Sequence, residues 1–294
     1  MRLWAWLASF PIRARASMAV IAVFAAAALW GEISAARARI ADVEPTCNRV
    51  DTAHRHLPPL SRFDGEDGRT LVAIMGTDNL GRDVLSRLAH GARIAFHVGI
   101  VTSLITVPFG ALLGILAGCK GGKTDALCSW LAATVAAIPA LLLILAIALV
   151  VGKGLAGVYV GISATTWVGI FRTVRGEASK HWGMGYVQSA KALGYSEARI
   201  MFRHVLPNVA HVMIVAFSLR FPAAVGTEVF MSFIGVGAQS EPSWGVMINN
   251  ARVRLWEGVW WEGAFVTLAL FALVLAFNQL GDALRDRFDP TVQA

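Results

Sequence analysis

The sequence predicts an all-α integral membrane protein with about six transmembrane helices and one polar hairpin between two of them. Of its 294 residues 56% are hydrophobic and only 15% are charged, a balance too apolar for an ordinary soluble domain. The apolar residues group into runs at 17–33, 94–118, 126–151, 155–174, 207–235 and 262–281, each near the ~20 residues that cross a hydrocarbon core. Ahead of the fifth run, residues 186–208 are polar and basic and read as helix, glycine, helix. An even number of crossings returns both termini to one side.

The first run follows Arg13 and Arg15 and is short at about 17 residues, so little tilt is expected. Ala36-Arg37-Ala38 after it imitates the cleavage region of a secretory signal. A retained helix is the expectation, because Trp30, Glu32 and Ile33 carry the segment past a tidy cleavage region. The chain then divides into a cytoplasmic segment with the first membrane helix at 1–33, an extracytoplasmic segment with an amphipathic helix at 34–93, and a core domain at 94–294. The core domain holds the other membrane helices and the hairpin, placed at 184–206.

Lysine and arginine in the short connections set the orientation. One side holds Arg2, Arg13, Arg15, Lys120, Lys123, Arg172, Arg175, Lys180, Lys191, Arg199, Arg203, Arg285 and Arg287. The other holds Lys153, Arg252, Arg254 and the long 34–93 segment. The first side, with both termini, is expected in the cytoplasm; arginines of the long segment do not reverse this, since long loops translocate largely regardless of charge. The net charge of +7 then reflects topology. No basic stripe with interleaved aromatic residues runs through the chain, so membrane lipid and not nucleic acid is the expected contact.

Residues 76–88 read as a turn between Gly76 and Gly81 followed by a helix capped by Asp83. Val84, Leu85, Leu88 and Ala89 share a face with Arg82 and Arg87 elsewhere, a pattern suited to the outer membrane surface. Pro108, Pro139 and Pro222 fall inside apolar runs, where each removes a backbone hydrogen bond and bends its helix. Trp244, Trp256, Trp260 and Trp261 fall at the expected outer interface, where amphipathic rings anchor helix ends.

Ala117-Gly-Cys-Lys-Gly-Gly-Lys-Thr124 fits a relaxed phosphate-binding loop with Ala in place of the first Gly. A working loop needs a strand before it and a downstream strand ending in Asp for magnesium. Here a helix-length apolar run precedes it, and Val150-Val151-Gly152 ends without the Asp. A tight turn is therefore expected, with Lys120 and Lys123 enforcing topology and Asp125 starting the next helix. His54-Arg55-His56 with Cys47 upstream offers imidazole and thiolate, but no fourth ligand is legible and no metal site is expected. Cys47, Cys119 and Cys128 read as unpaired thiols, and His97 and His211 as buried hydrogen-bonding residues.

Within the hairpin, Gly194 suits the left-handed residue that closes a helix, Ser196 caps the next, and Glu197 in its first turn complements the macrodipole. Pro207 is expected at the first position of the following membrane helix, where its missing N–H loses nothing. Arg220 lies some 20 Å along that run at ~1.5 Å per residue. An arginine at that depth costs at least ~2.5 kcal/mol unless paired or wetted, so it should face the bundle interior or a water-filled path. Glu228 is the nearest charge in the helix, but about 12 Å and ~80° separate the two, so no direct pair is expected.

Gln188-Ser189-Ala190, Gly194, Leu206 and Pro207 resemble the "EAA…G…LP" cytoplasmic loop of ABC-importer permeases. Gln188 and Ser189 stand where that pattern has Glu and Ala, and His204 where it has Ile. Gly76-Thr77-Asp78, Gly81-Arg82-Asp83 and Ser86-Arg87-Leu88 resemble the "GTD…GRD…SRL" signature of the dipeptide, oligopeptide and nickel subfamily, in its second-permease type. Further matches are Trp167, Arg172, Arg175-Gly176-Glu177, Pro242-Ser243-Trp244-Gly245, Gly281-Asp282-Ala283-Leu284-Arg285-Asp286 and Asp289-Pro290, so the resemblance covers roughly 70–290.

The resemblance implies the type I ABC importer permease fold and a non-catalytic transport subunit of a bacterial inner membrane. It implies no cofactor on this chain, a second homologous permease, two ATPase subunits that use ATP and Mg, and an extracytoplasmic binding protein that delivers peptides or similar small polar solutes. It assigns ATPase coupling to Gln188, Ser189, Ala190, Lys191, Gly194, Arg199, Arg203, Leu206 and Pro207. Arg220 and Glu228 are the candidates for the translocation path. Two alternatives stay open: a secondary transporter, which needs charged relays on several helices where only Arg220 and Glu228 lie deep in a span, and an ATPase built on 117–124.

Overall fold

The computed structural model describes residues 10–64 and 70–288; Arg2, Asp289 and Pro290 lie outside them. Helices α1 (Ile12–Ile40), α2 (Val84–Lys120), α3 (Gly122–Ala136), α4 (Ala140–Val151) and α5 (Leu155–Trp182) lead to the hairpin helices α6 (Gly185–Ala192) and α7 (Glu197–Ile200). Helices α8 (Leu206–Phe233), α9 (Trp244–Arg254) and α10 (Trp261–Phe288) follow. Between α1 and α2, strands β1 (Ser61–Asp64) and β2 (Thr70–Ala73) pair antiparallel with Ser61 opposite Ala73. Among the described residues 5 helical stretches are long and apolar enough to cross a membrane, or 6 if α3 and α4 form one span.

The prolines act unequally. At Pro139 the expected 126–151 span breaks, with α3 and α4 bent by 86°. Pro139 itself is non-helical, with φ −53° and ψ 121°, and immediately precedes α4 as its N-cap residue. Pro108 and Pro222 stay inside α2 and α8, each still one helix.

The surface helix expected after Asp83 and the span expected from 94 are one helix, because nothing between Leu88 and Ile94 stops it. Gly91, the one weak helix former there, is held by Trp244, whose indole occupies the space a Cβ would need and donates to the Leu88 carbonyl at 3.0 Å. At the other end of the chain's first segment, α1 runs past 33 and takes in Ala36-Arg37-Ala38, with Ala35 and Ala38 buried.

One unit comprises Met1–Gly99, Lys153–Leu155 and Val225–Gln279. Its polar centre is the turn at 76–83. The Asp78 carboxylate is fully buried, accepts the backbone N–H groups of Leu80 (2.8 Å) and Arg82 (2.9 Å), and takes the Arg82 Nε at 2.7 Å. The buried Arg87 guanidinium lies 3.6 Å away and donates to the Cys47 carbonyl at 3.3 Å. Trp261 donates to the Thr77 carbonyl at 3.0 Å. Trp244 and Trp261 are therefore buried packing residues and not the interface anchors expected of them, because their N–H groups find carbonyls inside the unit. Trp256 and Trp260 remain exposed.

The other unit comprises Ile100–Gly152, Ala156–Ala224 and Leu280–Ala294. Gly110, Gly114 and Gly118, one turn apart on α2, face the carbonyls of Trp167, Phe171 and Arg175, one turn apart on α5. A Cβ at these glycines would lie 2.7, 2.9 and 2.6 Å from those oxygens, so the two backbones meet with no side chain between them. This is the close approach that small residues at fourfold spacing permit inside a bilayer, where burial of apolar surface gives little drive for helix association.

Candidate functional site

The hairpin is built as its residues dictate. Gly194 has φ +79°. The N–H of Gly194 bonds the Lys191 carbonyl (3.0 Å) and that of Tyr195 bonds the Ala190 carbonyl (3.2 Å), the paired closure that ends a helix on a left-handed glycine. The Ser196 hydroxyl then accepts the Arg199 N–H and caps α7. Tyr195 stacks on His204 with centroids 5.9 Å apart, which gives the residue that departs from the resembled pattern a packing role. Gln188 donates its amide to the Trp182 carbonyl at 3.4 Å, a bond the Glu of that pattern lacks the hydrogen to make.

Pro207 is the second residue of α8, but the helical stretch it belongs to already starts at Glu197. Residues Met201–Val205 form a single π turn that joins α7 to α8 without a break. In a regular helix a proline ring collides with the carbonyl four residues before it, here that of Arg203, and a wider turn is one way for a helix to accommodate it.

The hairpin has two faces. Val187, Ala190, Ile200, Met201 and Val205 are buried in one cluster with Val107, Ala111, Ile115 and Cys119 of α2 and Ile170, Val174 and Ala178 of α5. Gln188, Ser189, Lys191, Gly194, Arg199, Arg203 and Pro207 are exposed, while Ala190 faces the core and Leu206 is half-buried against it. Lys191 is held 4.1 Å over the Trp182 ring, and Arg199 5.2 Å over Tyr195.

Beside the hairpin's first residues a cleft of ≈ 650 Å³ runs between α5 and α8. Arg220 lies in it, half-buried, where a Cβ on Gly169 would run into its Nη2. Glu228 instead belongs to the other unit. It is buried and accepts the Ser232 hydroxyl at 2.6 Å, with Ser243 also bonded to it, and Ser232 in turn accepts the Ala238 N–H. That arrangement ties the turn after α8 to the start of α9.

Several pairings were not legible in sequence. Arg175 donates to Asp125 through both Nε and Nη2, the latter at 2.6 Å. In the unit of α1, buried Arg93 pairs with Glu241 and lies 3.6 Å from Glu32, which His97 meets at 3.1 Å. His97 and His211 are therefore hydrogen-bonding residues but not buried ones; His211 bonds the Asn208 carbonyl at 2.8 Å. His54 pairs with Asp51 at 2.7 Å and holds that carboxyl below its usual range. Among the described residues no group of three or more His, Cys, Asp or Glu is placed to hold a metal, and Cys47, Cys119 and Cys128 are free thiols. The glycine-rich 117–124 stretch is the end of α2 and the start of α3, joined by Gly121 and Gly122 at φ +63° and +54°.

Residues 110–294, which hold the glycine stripe, the hairpin and the cleft, match the family described as binding-protein-dependent transport system inner membrane component. The chain belongs to this permease family. The permease is 37% identical over 219 residues to the dipeptide transport system permease protein DppC of Bacillus subtilis, covering 74% of this chain and 68% of that one. It is 37% identical over 229 residues to the glutathione transport system permease protein GsiD of Pectobacterium atrosepticum, at 78% and 76% coverage. To the oligopeptide transport system permease protein OppC of Bacillus subtilis it is 32% identical over 248 residues, covering 80% of each. It is thus a multi-pass transport permease and not an enzyme in its own right, which disfavours both the secondary transporter and the self-contained ATPase.

Proposed function

We propose that this permease imports peptides or related small polar solutes, forming half of a translocation path with a second homologous permease. Separate ATPase subunits bind ATP and Mg, and an extracytoplasmic binding protein delivers the solute. The hairpin lies on the cytoplasmic side with both termini, and the exposed residues Gln188, Ser189, Lys191, Gly194, Arg199 and Arg203 meet the ATPase. Arg220 lines the path; Glu228, with its internal partners, anchors the 232–243 turn.

The observation that carries this reading is the shared cluster under the hairpin. Its buried side chains interlock with those of α2 and α5, so a push on the exposed face moves membrane helices and not a loose loop. Rigid-body motion of that kind is what alternating access requires.

The test is ATP-driven uptake of radiolabelled dipeptides by the importer reconstituted with its partner subunits and binding protein. Gly194→Val should abolish most uptake while the chain remains inserted. Normal uptake by that variant would contradict the coupling role.

A further inference from the structure

The cleft between α5 and α8 is mostly apolar, yet cations line it at both ends. Arg220 sits at the end near Gly169, and Lys180 and Arg285 line it as well. The acid lining it, Glu177, lies 4.0 Å from Lys180. Among the described residues, Arg220 has neither an ion pair nor a hydrogen-bond acceptor. Histidines 181 and 211 also line the cleft, bonded to Tyr186 and to the Asn208 carbonyl.

Gly169 is what gives the guanidinium its position, since any side chain there would displace Nη2. A cation placed by a glycine inside a membrane helix, without a counter-charge among the described residues, lacks a structural reason there to be charged. It needs water or a passing anion. From Gly169 to Lys180 along α5 is about 16 Å at ~1.5 Å per residue, enough to follow a solute of a few residues' length.

We infer that this cleft is an anion-attracting stretch of the translocation path, in which Arg220, positioned by Gly169, receives a carboxylate of the passing solute. The inference rests on the permease reading above and adds the recognised chemical group and the second residue, Gly169.

The experiment labels the assembled importer with thiol reagents of opposite charge. Thr173, exposed in the cleft one turn from Gly169, is replaced in a Cys128→Ser background, Cys47 and Cys119 being buried. The rate ratio of sulfonatoethyl to trimethylammonioethyl methanethiosulfonate at Thr173→Cys is then compared among Arg220 variants. Arg220→Gln should lower the ratio by about fivefold and Arg220→Lys should preserve it, as expected for one unit charge acting over a short range. Gly169→Ala, which keeps the charge but moves it, should also lower the ratio. Trialanine should slow labelling by the anionic reagent more than trialanine amide does.

A ratio indifferent to Arg220→Gln, equal protection by acid and amide, or a thiol that neither reagent reaches would each overturn the proposal. Labelling requires no transport. A failure of the importer reading would therefore appear in the uptake assay, separately from a failure here.

Discussion

The Arg175 guanidinium grips both oxygens of Asp125, tying the first turn of α3 to the last third of α5. Both side chains are partly exposed, so the pair is worth about 0.5–1 kcal/mol and not the larger sums of buried ion pairs. Arg175→Ala should lower the midpoint of thermal unfolding in detergent by only a few degrees. A double-mutant cycle with Asp125→Ala should recover a coupling energy of the same ~0.5–1 kcal/mol.

Replacing Gly114 by Leu should be far more damaging. The new side chain starts 2.9 Å from both the Phe171 carbonyl oxygen and the Val174 Cβ, where neither backbone can yield. Overpacking of this kind costs about 1–3 kcal/mol, and here it also separates the helices that seat the hairpin. Gly176, with nothing near it, provides the contrast: Gly176→Ala should leave stability unchanged or slightly raised. Thermal unfolding of the two variants in one detergent compares them directly.

Asp78 should prove structural. Its buried carboxylate satisfies two backbone N–H groups and one guanidinium and faces a second. Asp78→Asn leaves Arg82 and the buried Arg87 without their charge partner, at a cost of about 3–5 kcal/mol. The amount of folded chain recovered from membranes should fall sharply, whereas Asp42→Asn, at an exposed turn, should change nothing.

Much of this was legible in the sequence because it rests on short-range rules. Apolar run length marked the spans, and Gly194 and Ser196 marked the hairpin's cap and start with the geometry observed. What failed was decided by contacts distant in sequence. The position of Trp244 and Trp261 along the chain points to the membrane interface, but the carbonyls of Leu88 and Thr77 that accept their N–H groups lie over 150 residues away. The π turn before Pro207 does not follow from the proline alone, because a helix also accepts proline in its first turn without any widening. Gly169 and Arg220 were each visible singly, but only the packing of α5 on α8 brings them together. Glu228 reads in the sequence as a lone membrane charge, and only the fold brings the hydroxyls of Ser232 and Ser243 to it.

Photo-crosslinking from the hairpin tests the central claim most directly. Benzoylphenylalanine at Leu193, 73% exposed beside Gly194, should form an adduct with an ATP-binding subunit when the assembled importer is irradiated in membranes. The same probe at Trp256, 95% exposed in the connection between α9 and α10, should form none with that subunit. Adducts to the ATPase from Trp256 and not from Leu193 would contradict the coupling role of the hairpin and its placement in the cytoplasm.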